Sequence, residues 1–373
     1  MALLSPGTAR AVETNAREAI VMDANTGAVL MEKAPDASMP PASMSKVMTV
    51  YLVFERLKDG RLSLDDTLEV SEKAWRKGGS KMFVEVGNKV RVEDLLRGVI
   101  VQSGNDACIV LAEGLAGTES AFAQLMTQKA EEIGMTGSHF TNSTGWPDPN
   151  HRMTARDLAI LADRMIENFP DYYGYFSETE FTWNGIKQYN RNPLLGRVAG
   201  ADGLKTGHTE EAGYGLTASA KRGDRRLILV VNGLGSVRAR AEESARLMEW
   251  GFREFDNYRL FGEGETVEHA AVWLGEADTV PLVSDGELVI TLPKQARPKM
   301  KVKVVYDGPV PAPIEEGQEI ARLEISAPDM QTLEYPLYAA EPVEKLGPVG
   351  RLIGSLEHMI FGAPAALVKE SAE

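Results

Sequence analysis

The run "SKVMTVYLVFERLKDG", residues 45 to 60, constrains the fold more than any other stretch. Read at helical spacing it is apolar on nearly every side, and a helix without a polar stripe has no face to offer water. The rest of a domain must therefore be wrapped round it. Gly60 closes the helix, because glycine takes the left-handed conformation that helix ends favour. Two prolines, Pro40 and Pro41, stand just before it, and proline suits a helix entrance but not a helix interior. Ser43 then falls in the first turn, and Lys46, three residues on, shares its face. A lysine at the mouth of a buried helix needs a reason, since burying an unpaired charge is costly.

At 373 residues the chain is long enough for two or three compact units, and 43% hydrophobic with 25% charged residues is a globular balance. Residues 12–262 mix helices and strands. "EAIVMDANTGAVLMEKA" reads as a hairpin about Asn25-Thr26-Gly27. "VEDLLRGVIVQ", "TESAFAQLMTQKAEEIG" and "TARDLAILADRMIEN" read as helices. Thr118 and Gly134 bound the second, and Thr154 and Asp157 open the third at capping-box spacing. "YGLTASAKRGDRRLILVVNGLG" predicts two strands around Gly223-Asp224, and "RARAEESARLMEWGFREF" a closing helix. From 263 to 342 the texture changes to short valine-rich runs. They are separated by Asp285-Gly286, Asp307-Gly308, Pro311 and Pro313, which predicts a small all-β domain. In 343–373, Leu346, Val349, Leu352, Ile353, Leu356, Met359 and Ile360 share one face of an expected amphipathic helix.

A net charge of −14 and a pI near 5.0 argue against a nucleic-acid partner. The same charge repels anionic lipid, so any membrane contact must be mainly hydrophobic. No run reaches the roughly 18 apolar residues of a membrane span. Cys108 is the single cysteine, which excludes an internal disulfide. In "NDACIVLAEGL" it reads as a buried, inert thiol. The opening "MALLSPGTARAVETNARE" lacks the pattern of an intact signal peptide, so an exported protein has had its signal removed. The histidines, at 139, 151, 208, 269 and 358, form no closely spaced ligand pair, and no metal site is expected. No glycine-rich cradle with lysine suggests a phosphate loop.

Chemistry concentrates at Ser43. Backbone N–H groups are unpaired at a helix N-terminus and the macrodipole is positive there. A hydroxyl so placed can attack a carbonyl while those N–H groups receive the oxyanion, one such donor being worth about 3 kcal/mol. Serine needs a base, and lysine serves only when neutral, so its pKa must fall from about 10.4 towards 7. Burial beside a second cation acts in that direction. The plain alternative is a helix cap and a surface lysine, since Ser-x-x-Lys arises about once by chance in a chain of this length. Two further stretches bear on the choice. In "VQSGNDA", Ser103 and Asn105 place a hydroxyl and an amide two apart in a loop, able to face one cleft or merely to cap a helix. In "DGLKTGHTEEAGYGLTASA", Lys205, Thr206 and Gly207 enter a strand, whose edge can hold an extended peptide. Gly207 permits close backbone approach, and Lys205 and Thr206 offer a cation and a hydroxyl to a carboxylate.

Ser-x-x-Lys, Ser-x-Asn and Lys-Thr-Gly, in that order, are the set of class A β-lactamases and penicillin-binding proteins. Together with "FTNSTGWPDPNHRMTARDLAILA" and "LMEWGFREF", they make residues 17 to 262 resemble the low-molecular-mass penicillin-binding proteins, specifically the D-alanyl-D-alanine carboxypeptidases. A β-rich second domain and a terminal amphipathic helix are also traits of that family. The resemblance implies an α+β fold of the β-lactamase/transpeptidase kind, an antiparallel sheet flanked by helices, followed by the small all-β domain and the C-terminal helix. It implies that Ser43 is the acylated nucleophile, Lys46 its base, Ser103 a proton relay and Asn105 the holder of a substrate amide carbonyl. Lys205 and Thr206 would bind the terminal carboxylate, and the backbone N–H groups of Ser43 and His208 would form the oxyanion hole. Arg240 matches the family's carboxylate-side arginine, with Arg238 as fallback, and Arg191 supports the site. Expected with these are removal of the last D-Ala from peptidoglycan stem pentapeptides, covalent inhibition by β-lactams, and no cofactor. The expected location is the periplasm or cell exterior, on the outer face of the cytoplasmic membrane.

Ser45 departs from the threonine common in relatives. The terminal helix carries few cations, Lys345, Arg351 and possible charge on His358, so membrane contact rests on its apolar face. A serine β-lactamase would need a second base. Glu180 and Asn184 in "EFTWN" imitate one, but read better as a strand and its turn. A DD-endopeptidase would use the same residues. A non-catalytic wall scaffold would leave the motifs vestigial.

Overall fold

Lys46–Lys58 is a helix, α1, and every residue from Lys46 to Phe54 is buried. Gly60 follows its last turn at φ 70°. The computed structural model describes residues 12–328 and 330–348. It divides into two compact units that meet in sequence at Arg253 and Glu254.

The first unit opens with the expected hairpin, β1 (Glu18–Asp23) and β2 (Val29–Lys33), then α1. Next come β3 (Thr67–Glu69), α2 (Glu72–Arg76), β4 (Lys89–Arg91), α3 (Val92–Ile100), α4 (Asn105–Ala116), α5 (Glu119–Glu132) and α6 (Ala155–Asn168). A short α7 (Pro170–Tyr173) precedes the hairpin of β5 (Glu180–Trp183) and β6 (Ile186–Tyr189). The long strands β7 (Ala201–Thr209), β8 (Gly213–Arg222) and β9 (Arg225–Leu234) lead to α8 (Val237–Glu254). The main sheet runs β2-β1-β9-β8-β7, every neighbouring pair antiparallel, so β7 is an edge strand.

Helices cover both faces of this sheet. Ile20, Met22, Ile228 and Val230 join the core that surrounds α1, with Leu158 and Leu161 of α6. On the other face α8 lies so close that a Cβ on Gly251 would stand 2.8 Å from Leu227 Cδ1 and 3.5 Å from Val21 and Leu30. Double coverage explains why β8 and β9 bury continuous runs instead of alternating. The helix caps follow the sequence. Thr118 Oγ1 accepts from Ala121 N, and Thr154 Oγ1 accepts from Asp157 N. The capping box at α6 stays half-made, because the Asp157 carboxylate accepts from Gly137 N and Ser138 Oγ instead.

The second unit is β-rich. In it β10 (Phe255–Phe261) pairs with β13 (Leu288–Pro293). A six-stranded sheet is ordered β14-β16-β17-β12-β11-β15. Its strands are β11 (Glu268–Trp273), β12 (Thr279–Ser284), β14 (Lys301–Val305), β15 (Val310–Pro311), β16 (Glu319–Ser326) and β17 (Leu333–Ala339). Val280, Leu282, Leu323, Ile325 and Leu337 form the middle of its core. The boundary at 262 expected from texture is therefore corrected to 253. The texture changes only at 263, but the backbone of Phe255–Phe261 is already committed to hydrogen bonds with β13. The unit also runs past 342, through a bridge between Gly275 and Lys345. The expected amphipathic helix, from Val349 on, lies outside the described residues.

Candidate active site

Pro41 leads into a 3₁₀ turn, Ala42–Ser45, that runs directly into α1. Ala42 takes φ 48°, a left-handed backbone that non-glycine residues adopt only when their surroundings hold them there. In this turn Ser43 Oγ lies 2.8 Å from Lys46 Nζ, which also donates to Thr144 O at 2.6 Å. Lys46 is 0% exposed. Burial pushes its pKa down to about 8, with Arg191 and Lys77 adding to the fall while Cys108 and Asp106 oppose it. A neutral amine that gives one N–H to Thr144 keeps its lone pair for the Ser43 hydroxyl proton. The lysine at the mouth of the buried helix thus sits in a dry, positive site where it can act as a base.

The carbonyl of Thr144 is held from several directions. Asn142 Oδ1 accepts from Thr144 N, Thr144 Oγ1 and Trp146 N. Glu119 accepts from Ser143 N at 3.2 Å and Ser143 Oγ at 2.9 Å, and pairs with Lys73 at 2.7 Å. Thr49, on α1, donates to Ser143 O at 2.6 Å. Gly145 presses against the turn that carries Ser43, where a Cβ would stand 1.8 Å from Ala42 O, so only glycine fits. Ser45 is not idle, because its Oγ meets His151 Nε2 at 2.8 Å. Burial drives His151 down to about 4, and its Nδ1 accepts from Thr141 N, so Nε2 carries the proton and donates to Ser45.

Ser103 and Asn105 stand at the entrance of α4. Ser103 is buried at φ 60°, and its Oγ has no hydrogen-bond partner among the described residues. Asn105 Nδ2 donates to Gly78 O at 2.9 Å. Asp106 fastens the facing loop, its carboxylate accepting from the backbone N–H groups of Met82, Phe83, Val84 and Ala107. On edge strand β7, a Cβ on Gly207 would stand 2.7 Å from Pro41 O, so glycine lets the strand lie against the Ser43 turn. Lys205 and Thr206 are buried there. Burial, then Lys46, Arg191 and Arg240, push Lys205 far below an ordinary lysine.

His208 stacks on Tyr214 at 3.9 Å between ring centroids, and Arg240 lies 5.8 Å from the same ring. Arg240 is buried, and its Nε lacks a hydrogen-bond partner among the described residues. Arg238 points elsewhere. Its side chain is 86% exposed and pairs with Glu242, which removes it as the fallback. Arg191 Nη1 donates to Ser80 Oγ at 2.6 Å. Glu180 pairs with Lys187 across the β5–β6 hairpin, whose turn is Asn184-Gly185, so the pair that imitates a deacylating base is a strand and its turn.

Sequence reasoning missed Lys77, Glu119, Asp106 and the Thr144 carbonyl. Asp106 had a local signal, an acid in the first turn of α4. A main-chain carbonyl has none. The profile of the D-alanyl-D-alanine carboxypeptidase family matches residues 6–235. The chain belongs to that family. The C-terminal domain of penicillin-binding protein 5 matches residues 255–345. The carboxypeptidase DacD of Escherichia coli is 37% identical over 93% of this chain and 91% of that protein. DacC of the same organism is 38% identical over 92% and 88%. Penicillin-binding protein 5 from Haemophilus influenzae superposes with a TM-score of 0.82 at 35% identity, covering 91% of this chain and 100% of that one. The fold is accordingly that of the penicillin-binding proteins, and the chain is a serine-type hydrolase.

Proposed function

We propose that this carboxypeptidase removes the terminal D-alanine of peptidoglycan stem peptides through an acyl-enzyme on Ser43. The observation that carries the reading is the buried Lys46 amine, 2.8 Å from the Ser43 hydroxyl and lowered to about 8. The substrate's terminal carboxylate docks at Lys205, Thr206 and Arg240. An anion there restores the charge that burial strips from Lys205. Asn105 takes an amide carbonyl, and β7 holds the peptide as an added strand.

Lys46 accepts the Ser43 proton as Oγ bonds to the scissile carbonyl carbon. The oxyanion faces the backbone N–H groups of Ser43 and His208. The C–N bond then breaks as Ser103 passes a proton from Lys46 to the leaving amine, and D-alanine departs. Water, deprotonated by the same base, attacks the ester, and Ser43 recovers its proton. A β-lactam acylates Ser43 in the same way and leaves slowly.

The test offers fluorescent penicillin and a diacyl-Lys-D-Ala-D-Ala peptide to the intact chain and to Ser43→Ala. Labelling and D-alanine release by the intact chain, both lost in the variant, are expected. An adduct without release would favour a scaffold or β-lactamase. We assign the cell exterior as its place, so a membrane-impermeant penicillin should label it on intact spheroplasts. Labelling only after lysis would overturn that assignment.

A further inference from the structure

Three largely buried arginines elsewhere in this unit meet carboxylates. Arg156 pairs with Asp36 and Glu32, Arg225 with Asp23, and Arg226 with Asp202. Lys46, Lys77, Arg191, Lys205 and Arg240 make no such pair among the described residues. In a chain of net charge −14, that is a local excess of positive charge set round Ser43. Lys46 is the base, and Lys205 and Arg240 serve the terminal carboxylate. Lys77 enters the chemistry above only by helping to lower Lys46.

Lys77 caps the C-terminus of α2 and is half-buried. Its ammonium sits 4.1 Å from the centre of the Trp146 ring. Burial lowers its pKa, and Glu119, which opposes that fall, is already engaged by Lys73 and Ser143. Trp146 is 42% exposed, and its ring lies along the Gly78-Gly79 backbone, 3.1 Å from where a Cβ on Gly79 would stand. This loop also supplies the partners of two site residues, Gly78 O for Asn105 and Ser80 Oγ for Arg191. Lys205 and Arg240 come from β7 and α8, so Lys77 reaches the site from a different wall.

We propose that Lys77, on the face of Trp146, recognises a second carboxylate, one carried by the stem peptide upstream of the bond that Ser43 attacks. This rests on the proposed function and names its preferred substrate class, an acidic stem. A cation partly removed from water is held at a cost unless an anion meets it there. The exposed indole adds an apolar surface for the peptide beside Lys77. Near the cleft a carboxylate gains from the positive field, whereas the rest of the surface repels it.

Two peptides with the same D-Ala-D-Ala end test the idea, one with a free upstream glutamyl carboxylate and one with that group amidated. The intact chain should favour the acid by about tenfold in kcat/KM, mainly through KM, and lose the preference at high salt. Lys77→Gln should bring the ratio to about one, while Lys77→Arg retains it. Penicillin labelling of Ser43 shows that each variant is folded. If Lys77→Gln slows both peptides alike and moves the pH midpoint, Lys77 acts only on Lys46 and the proposal is overturned. Equal rates on the two peptides with the intact chain overturn it while leaving the carboxypeptidase reading in place. No D-alanine from either peptide overturns both.

Discussion

The acylation rate should follow the ionisation of Lys46. Lowering a lysine from 10.5 to about 8 corresponds to about 3.4 kcal/mol. At pH 7 it raises the neutral fraction from about one in three thousand to about one in eleven, a gain of about 300-fold. The second-order rate of penicillin acylation, followed by stopped-flow fluorescence, should therefore climb about tenfold per pH unit below 8 and level off above it. Lys205 ionises in the same cleft, so the midpoint belongs to the pair. Stability has a matching sign. Between about 8 and 10.5 the unfolded chain holds a proton on this residue that the folded chain has lost, so Lys46 adds stability as pH rises through that window. Lys46→Arg, which cannot lose its charge, should abolish acylation at every pH. A rate still climbing in parallel with free lysine near 10.5, or one indifferent to pH, would refute the role given to the buried amine.

Glu119→Ala should release the Ser143 peptide and slow acylation by about tenfold, while Glu119→Gln, which still accepts from Ser143, should keep most of the rate. Equal losses in the two variants would show that charge, not positioning, is what Glu119 supplies. Asp106→Ala strips the partners from the N–H groups of Met82, Phe83 and Val84 and should cost about 3 kcal/mol in urea unfolding. An unchanged urea midpoint would contradict the fastening role.

The parts of this site carried by side chains on local patterns were legible. Ser43 and Lys46 share a helix face, Lys205 to Gly207 enter a strand, and Gly207 is where two backbones meet. Parts carried by the main chain were hidden. The Thr144 carbonyl that orients Lys46 lies 98 residues away in sequence, and no residue type announces it. Lys77 resembles any lysine at a helix end until Trp146 is folded beneath it. The unit boundary was misplaced for a related reason, since only long-range pairing with Leu288–Pro293 ties Phe255–Phe261 to the second unit.

Ser43 and Lys46 are joined to a helix buried without a break from Lys46 to Phe54, and glycines at 145 and 207 hem the turn from two sides. A lineage under antibiotic pressure has little freedom to remodel that centre without losing the fold along with the reaction. Side chains can change with less loss of packing at the partly exposed margin of Lys77, Phe83 and Trp146.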